Sequence, residues 1–316
     1  MIEVLGVPFD LCGKRMGSRM GPDAVRLGGL NATLAAMGMD VRDAGDVEVC
    51  ERPVEPAGLR NFGPAFETLL STKEAVRAAL RSGRMPMVVG GEHSISIGTV
   101  SGALSALGSN LAVLWIDAHA DLNTPGTSPS GNLHGMPLGA LMGYPSGVKS
   151  LADRQWRSLL SKVVPAKRLQ PNRVAWLGLR EVDEGERERL SLVSGHFVAT
   201  MYDIDRFGLV ECVSRLDQWL RGSGAKALWI SFDVDALDPI LAPGTGTAVR
   251  GGITYREMHL IGEMLQETLA APECPYSLAG MDLVEINPLY DSHNETARTV
   301  VEWIASLFGK TILGKR

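Results

Sequence analysis

The sequence has few cysteines, no cluster of basic residues and no long apolar stretch. Its four cysteines are scattered and form no Cys-x-x-Cys pair, so neither a disulfide framework nor a zinc ribbon is indicated and reduced thiols are expected. The 31 basic and 36 acidic residues give a net charge of -5, which argues against a nucleic-acid or anionic-membrane partner and is compatible with a small cationic substrate. No stretch is long enough to span a bilayer, and acids and a proline near Met1 argue against a secretory signal. We therefore expect a cytoplasmic protein.

Apolar runs alternate with helical patterns along the 316 residues, 45% of which are hydrophobic. The apolar runs predict strands at residues 2–7, 41–44, 87–89, 111–116, 174–178, 196–200, 227–232 and 277–283. Helical spacing predicts helices at residues 57–82, 135–142, 152–163, 205–221, 255–269 and 295–308, with others that begin at Gly21 and just after His93.

This alternation is typical of a parallel sheet covered by helices, here in one domain that spans residues 1–316. Eight strands fit either an open, doubly wound sheet or a (β/α)8 barrel, and the strand count leaves both folds open. In both folds, ligands bind beyond the carboxyl ends of the strands. Because acids or histidines follow several apolar runs directly, we expect the functional site at that end of the sheet.

The first group of candidate metal ligands follows the apolar run at residues 111–116. Asp117, His119 and Asp121 are spaced by two residues, and on an extended backbone their side chains would point the same way. Carboxylate and imidazole groups without a thiolate suit a hard or borderline divalent cation, and Mn²⁺ fits them better than a structural Zn²⁺ does. The alternative is that these acids only cap the next helix.

A second group of candidate ligands follows the run at residues 227–232. Asp233 and Asp235 repeat the alternating pattern, and burying two unpaired aspartates is costly unless a cation compensates them. Exposed loop acids are the alternative. With His93, which follows the run at residues 87–89, the two groups provide four aspartates and two histidines. Four negative charges balance two divalent cations, so the composition predicts a binuclear hydrolytic centre.

Two further residues are candidates for proton transfer and substrate binding. His134 lies too far along its loop to share a face with Asp117, so we assign it to proton transfer, although a single loop histidine is often structural. Glu285 lies among apolar neighbours, where a lone carboxylate needs a cation. That cation is either the guanidinium of a substrate, bound through two parallel hydrogen bonds, or an arginine of this chain. The sequence favours neither.

Several motifs resemble those of the arginases in the ureohydrolase superfamily. They are Asp-Ala-His-Ala-Asp at residues 117–121, Ser-Gly-Asn-Leu-His-Gly at 130–135, Gly-Leu-Arg-Glu-Val-Asp-Glu-Gly-Glu at 178–186 and Ser-Phe-Asp-Val-Asp at 231–235. The resemblance covers nearly the whole chain. It implies a three-layer α/β/α fold with a central parallel eight-stranded sheet, which favours the open sheet over the barrel. It also implies hydrolysis of L-arginine to L-ornithine and urea, two Mn²⁺ ions per subunit, and a homo-oligomer that is a trimer or a hexamer.

The resemblance assigns six residues to the metal ions and three to catalysis. The bridging ligands would be Asp117 and Asp233, with His93 and Asp121 on one ion and His119 and Asp235 on the other. A metal-bridging hydroxide would attack the guanidinium carbon while Glu285 holds the guanidinium. Asp121 would then pass a proton to the departing amine, and His134 would relay protons to or from solvent.

The resemblance also assigns residues to the amino-acid end of the substrate. Positions that match contacts to the α-carboxylate are Asn123, Ser128, Ser130 and Asn132. Positions that match the surroundings of the α-amino group are Asp183 and Glu186, and Thr247 matches a position near the guanidinium.

Agmatine, or another guanidino compound without an α-carboxylate, is the closest alternative substrate. Relatives that act on agmatine usually lack the Ser-Gly-Asn stretch, so arginine is favoured. A catalytically silent metal-binding subunit is a second alternative, but every ligand candidate is present. Two residues depart from the family pattern: Glu92 and Glu181 stand where arginases usually or often have aspartate. We expect Glu92 to adjust only the packing around the site and Glu181 to reshape the outer rim of the pocket.

Overall fold

The computed structural model describes residues 1–51 and 57–313. Eight strands form one sheet in which every neighbouring pair is parallel. The strands are β1 (Ile2–Val7), β2 (Val41–Asp46), β3 (Met85–Gly90), β4 (Leu111–Ile116), β5 (Val174–Leu179), β6 (Phe197–Thr200), β7 (Ala227–Asp233) and β8 (Ser277–Val284). Their order across the sheet is β2-β1-β3-β8-β7-β4-β5-β6. Since β2 and β6 are separate edges, the sheet is open, which confirms the fold implied by the resemblance and rules out the barrel.

Helices cover both faces of the sheet. They are α1 (Gly21–Leu27), α2 (Leu30–Ala36), α3 (Phe62–Arg81), α4 (Ser96–Leu107), α5 (Pro137–Leu141), α6 (Leu151–Lys162), α7 (Glu184–Leu192), α8 (Met201–Phe207), α9 (Leu209–Ser223), α10 (Tyr255–Ala270) and α11 (Glu295–Leu307). Alternate residues of β4 separate the two cores: Leu114 and Ile116 pack in one, Val113 and Trp115 in the other. The result is a three-layer α/β/α arrangement. The central strands β4 and β7 are buried throughout, and β4 is entirely apolar because both of its faces are covered.

Some predicted helices differ from those in the structure. The helix predicted at residues 205–221 is two helices, α8 and α9, because Gly208 between them has a φ of 84°. The helix predicted at residues 57–82 begins only at Phe62, after Asn61 with a φ of 54°. Helix α7 was not predicted because its sequence is charged and has no clear apolar face. In the part of the chain that the structure describes, no helix is both long and apolar enough to cross a bilayer.

The strand order gathers four loops at one place. Strands β3, β8, β7 and β4 are neighbours in the sheet, although β8 is the last strand of the chain. Their carboxyl ends carry, in the same order, His93, Glu285, Asp233 and Asp117. The parallel arrangement therefore brings candidate ligands from four distant segments to one edge.

Candidate metal centre

The first ligand segment leaves the sheet in a turn. Strand β4 ends at Ile116, and the chain bends through Asp117 instead of continuing as the extended backbone that we predicted. Asp121 has a φ of 50°, in the left-handed region that residues other than glycine rarely adopt. Asp117 holds the turn by accepting hydrogen bonds from the His119 amide at 2.7 Å and from Trp115 Nε1 at 3.0 Å. The three side chains do not meet at one point: Asp121 contacts His93, whereas Asp117 lies near both His93 and His119. The segment reaches these contacts through a strained turn and not through strand alternation.

One half of the cluster is centred on His93. Its Nδ1 atom lies 3.1 Å from Asp117 Oδ2, 3.0 Å from Asp121 Oδ2 and 3.0 Å from Asp233 Oδ2. This nitrogen is buried and makes no well-directed hydrogen bond to any described residue. The opposite nitrogen, Nε2, lies 2.9 Å from Ser231 Oγ. His93 thus directs one ring nitrogen at three carboxylates, which is the arrangement of a metal ligand.

The other half of the cluster is centred on His119. Its Nδ1 atom lies 3.1 Å from Asp235 Oδ2 and 3.4 Å from Asp117 Oδ1. Asp117 therefore presents one oxygen to each half. Within each half, three potential ligand atoms lie within 4.8 Å of one another. Five of the six predicted ligands form two groups that share Asp117, and the sixth, Asp121, contacts His93.

The charges in the cluster shift the pKa values of its members. Burial opposes the charged form of His93, but its contacts with Asp117, Asp121 and Asp233 outweigh burial and raise its pKa well above the ordinary value. Burial and the charge of Asp117 raise the pKa of Asp121 to about 6. Burial, followed by the charges of Asp235 and Asp117, raises the pKa of Asp233 well above its ordinary value. A site that draws protons to buried carboxylates in this way is also suited to divalent cations.

Glu285 and His134 lie beside the His93 half. Glu285 follows β8 with a φ of 63°, and its Oε1 accepts a hydrogen bond from the His93 amide at 3.0 Å. The same oxygen lies 3.0 Å from His134 Nδ1. Among the described residues, no arginine pairs with Glu285. The group of this chain that faces Glu285 is a histidine, which the sequence analysis did not consider.

The residues predicted to bind the amino-acid end form a hydrogen-bonded rim. Asn123 Nδ2 donates to Asp183 Oδ2 at 2.6 Å, and the Asn132 amide donates to Ser130 Oγ at 3.2 Å. Ser128 Oγ lies 3.4 Å from Ser130 Oγ. The side-chain oxygens of Asn123 and Asn132 are buried without a hydrogen-bond partner in the described part of the chain. Both oxygens can therefore accept a hydrogen bond from a bound group.

Two of the predicted substrate residues have structural contacts of their own. Glu186 forms a capping box with Asp183 at the start of α7 and also accepts a hydrogen bond from the Leu122 amide at 3.1 Å. Burial, with the nearby charges of Asp121 and Asp183, raises the pKa of Glu186 to about 8. Glu186 thus holds the backbone of Leu122, next to Asn123, while Asp183 links Asn123 to the start of α7.

Sequence reasoning missed the partners that orient His93. Ser231 Oγ donates to Asp282 Oδ1 at 2.5 Å, and Asp282 also accepts from Trp229 Nε1 at 2.7 Å and from Thr99. Because Ser231 donates to Asp282, its oxygen can accept from His93 Nε2, which leaves Nδ1 free to face the cluster. The available signal was Asp282 itself, a carboxylate inside an otherwise apolar strand.

Comparison with known proteins identifies the family. Residues 1–309 match the family model described as Arginase family. The chain belongs to the arginase family. An arginase from Staphylococcus aureus (strain MRSA252) is 39% identical and aligns with 99% of this chain and 98% of its own. The structure of the Bacillus caldovelox arginase is 38% identical with a TM-score of 0.87, covering 98% of this chain and 99% of its own. An Entamoeba histolytica arginase, solved with L-ornithine, is 26% identical with a TM-score of 0.82, covering 98% of each chain.

As a member of the arginase family the chain is a hydrolase. Its two departures from the family pattern, Glu92 and Glu181, lie in different environments. Glu92 is fully buried and accepts hydrogen bonds from the Ser94 amide at 2.9 Å and its hydroxyl at 2.5 Å. Burial, opposed by the charge of His134, raises the pKa of Glu92 to about 7. Glu181 is 65% exposed, and its Oε2 lies 3.9 Å from His119 Nε2. Glu181 therefore lies at the surface near His119, whereas Glu92 is buried beside Ser94, next to His93.

Proposed function

We propose that this protein hydrolyses L-arginine to L-ornithine and urea at a binuclear Mn²⁺ centre. The observation that carries the proposal is the sharing of Asp117 between two histidine–aspartate groups. Membership of the arginase family and the name of the S. aureus relative support the same reaction. The L-ornithine in the E. histolytica structure is the amino-acid product that we expect here.

The chain offers a ligand set that fits two divalent cations. His93 and Asp121 would hold one ion, and His119 and Asp235 the other, with Asp117 and Asp233 between them. When bound, the ions would supply hydroxide at neutral pH and stabilise the negative charge on the attacking oxygen. Oxygen and imidazole ligands without a thiolate favour Mn²⁺ over a thiolate-preferring metal.

Glu285 is placed to hold the guanidinium against the cluster. Its carboxylate accepts a hydrogen bond from the His93 amide, which fixes its orientation beside the candidate metal ligands. A planar guanidinium can donate two hydrogen bonds to a carboxylate, which orients the carbon for attack. His134, with 14% of its side chain exposed, lies between Glu285 and solvent and would carry protons between them. Asp121, in contact with His93, would hand a proton to the departing amine.

The rim of the site supports an α-amino acid over agmatine. Asn132 and Ser130 provide groups that can bind a carboxylate, and Asp183 provides a negative charge for an ammonium group. A substrate without an α-carboxylate, such as agmatine, leaves the carboxylate-binding atoms of the protein unpaired, which weakens transition-state binding. Thr247, whose Oγ1 donates to Asp235 Oδ2 at 2.7 Å, would fix a ligand carboxylate near the guanidinium.

The proposal is tested by measuring urea release after Mn²⁺ loading, with L-arginine and agmatine at matched concentrations. Metal-stripped protein and the Glu285→Gln variant are the controls. Release from arginine alone supports the proposal. Release from agmatine alone keeps the metal centre and overturns the assignment of the rim, and release from neither overturns the proposed reaction.

We also propose that the chain is a single cytoplasmic domain that forms a homo-oligomer. Exposed apolar side chains on neighbouring helices α8 and α9 support self-association: Tyr202 is 65% exposed, Phe207 41% and Val210 56%. Light scattering on the purified protein would distinguish a monomer, which contradicts this proposal, from a trimer or a hexamer.

A further inference from the structure

Arg180 is the first residue after β5, and it contacts the turn that carries the first ligand group. Its backbone amide donates a hydrogen bond to the Ala118 carbonyl at 2.9 Å. Ala118 lies between Asp117 and His119, and its own amide donates to Asp235 Oδ1 at 3.2 Å. The main chain of Arg180 is thus joined directly to the segment that positions His119.

The Arg180 side chain reaches a different segment, the loop after β7. Nη1 donates to the Ala236 carbonyl at 3.1 Å, and Nη2 donates to the Val249 carbonyl at 2.8 Å. Nη2 also donates to the carbonyl of Asp235 and, at 3.3 Å, to that of Leu237. One guanidinium therefore binds carbonyls before and after the bend of this loop.

These contacts are specific to a guanidinium in this position. Among the described residues, no carboxylate forms an ion pair with Arg180, so backbone carbonyls take the place of an acidic partner. The planar group donates from two separate terminal nitrogens, whereas a lysine has one compact donor centre. The loop also approaches closely at Gly252, where a Cβ atom would lie 2.7 Å from Arg180 Nη2.

We infer that Arg180 is a positioning residue that joins the two segments of the His119 half of the centre. Its amide holds the turn of His119, and its guanidinium holds the backbone of Asp235 together with the loop of Thr247. The Arg180 side chain makes no hydrogen bond to the loops after β3 and β8 in the described structure, so we expect its loss to weaken the His119 half more than the His93 half. The inference rests on the proposed function in one respect, the role of Asp235 as a metal ligand.

The first test measures hydrogen exchange in the metal-stripped protein, so that it does not depend on metal binding. The amides of Leu237 and Ile253 donate within the loop, to Val234 and Ala236. In Arg180→Met we expect both to exchange roughly tenfold faster than in wild type, while amides of β3 are unchanged. Arg187→Met is the matched control, because Arg187 is exposed and its side chain, within the described part of the chain, hydrogen-bonds only to the Val182 carbonyl, at 3.0 Å. Unchanged exchange of the loop in Arg180→Met would overturn the inference.

The second test is calorimetric titration of Mn²⁺ into the same proteins. We expect Arg180→Met to weaken the binding step of the His119 half by about 10–100-fold, the usual effect of losing a residue that orients a ligand. The step of the His93 half should stay within about threefold. The His119→Ala variant shows which step belongs to which half. Equal weakening of both steps would indicate general destabilisation and overturn the inference.

Two further outcomes are informative. If Arg180→Met does not fold, Arg180→Lys serves instead, with intermediate exchange and a smaller loss at the His119 step; wild-type behaviour of Arg180→Lys in both tests would contradict the inference. If wild type binds no Mn²⁺, the proposed function fails, and the exchange measurement still decides whether Arg180 holds the loop.

Discussion

The Nδ1 atom of His134 lies 3.0 Å from Oε1 of Glu285, although the two residues are 151 positions apart. The same Glu285 oxygen accepts the backbone amide of His93. The carboxylate that we propose to hold the guanidinium thus contacts both a candidate metal ligand, His93, and the proposed proton carrier, His134. The backbone φ of Glu285, 63°, is a strained value for glutamate. Strain of this kind persists where the surroundings hold a residue in place for function.

Replacing His134 should slow turnover without weakening substrate binding. We expect His134→Asn to lower kcat by about 100-fold, in the range for loss of a general acid–base group, with KM for arginine nearly unchanged. Added imidazole should restore part of the rate. His196→Asn, a histidine that packs against Trp176, is the control and should retain full activity. A raised KM with unchanged kcat would instead assign His134 to orienting Glu285.

Asp117 and Asp235 should differ in their effect on metal content. Because Asp117 faces both histidines, Asp117→Asn should lose both Mn²⁺ ions, whereas Asp235→Asn should lose mainly the ion of the His119 half. Elemental analysis after dialysis measures the difference. Asp205→Asn, an exposed change on α8, should keep the wild-type content. Equal metal loss in the Asp117 and Asp235 variants would contradict the shared role of Asp117.

Asn132 should affect substrate binding more than the chemical step. We expect Asn132→Ala to raise KM for L-arginine by about 10–100-fold, as for the loss of a hydrogen bond to a charged group, with a much smaller change in kcat. Ser161→Ala, an exposed change on α6, is the control and should leave the KM for arginine unchanged. Unchanged KM for arginine would remove Asn132 from the carboxylate site.

The metal-stripped protein should become less stable as the pH rises. Burial raises the folded-state pKa of Asp121 to about 6, Glu92 to about 7 and Glu186 to about 8, all above the ordinary values. The folded state then binds more protons than the unfolded chain between about pH 5 and pH 8, and the free energy of unfolding falls through that window. We expect the melting temperature to drop by about 3 °C or more.

Saturating Mn²⁺ should reverse this dependence, because metal binding requires deprotonated ligands and stabilises only the folded state. Parallel thermal melts with and without Mn²⁺ between about pH 5 and pH 8 provide the comparison. A metal-stripped protein that gains stability with rising pH would contradict the raised pKa values. Glu186→Gln should flatten the slope without changing the Mn²⁺ effect.

The apolar runs predicted the buried strands well and the exposed strand less completely. The run at residues 111–116 is β4, which is buried throughout, because burial on both faces leaves a continuous apolar signal. Strand β2, predicted at residues 41–44, continues to Asp46 with most of its residues exposed at the edge of the sheet. Helix α7 was missed because its start is encoded by the capping box of Asp183 and Glu186 and not by apolar spacing.

The sequence by itself determined the types of candidate ligand and the segments that carry them. Asp117, His119 and Asp121 follow one apolar run, and Asp233 and Asp235 follow another, so local spacing was enough to predict a metal centre. It did not determine the conformation that joins them, since Asp121 occupies a left-handed turn where extended backbone was expected.

Only the tertiary structure decided which distant residues meet. The insertion of β8 between β3 and β7 brings Glu285 to His93 and His134, and the end of β5 brings Arg180 to both ligand segments. Local sequence sets strand and turn preferences over a few residues, whereas these contacts depend on strand order and on packing over the whole sheet. For that reason the sequence showed Arg180 only as one residue of the motif at 178–186, and its contacts with backbone carbonyls are known only from the structure.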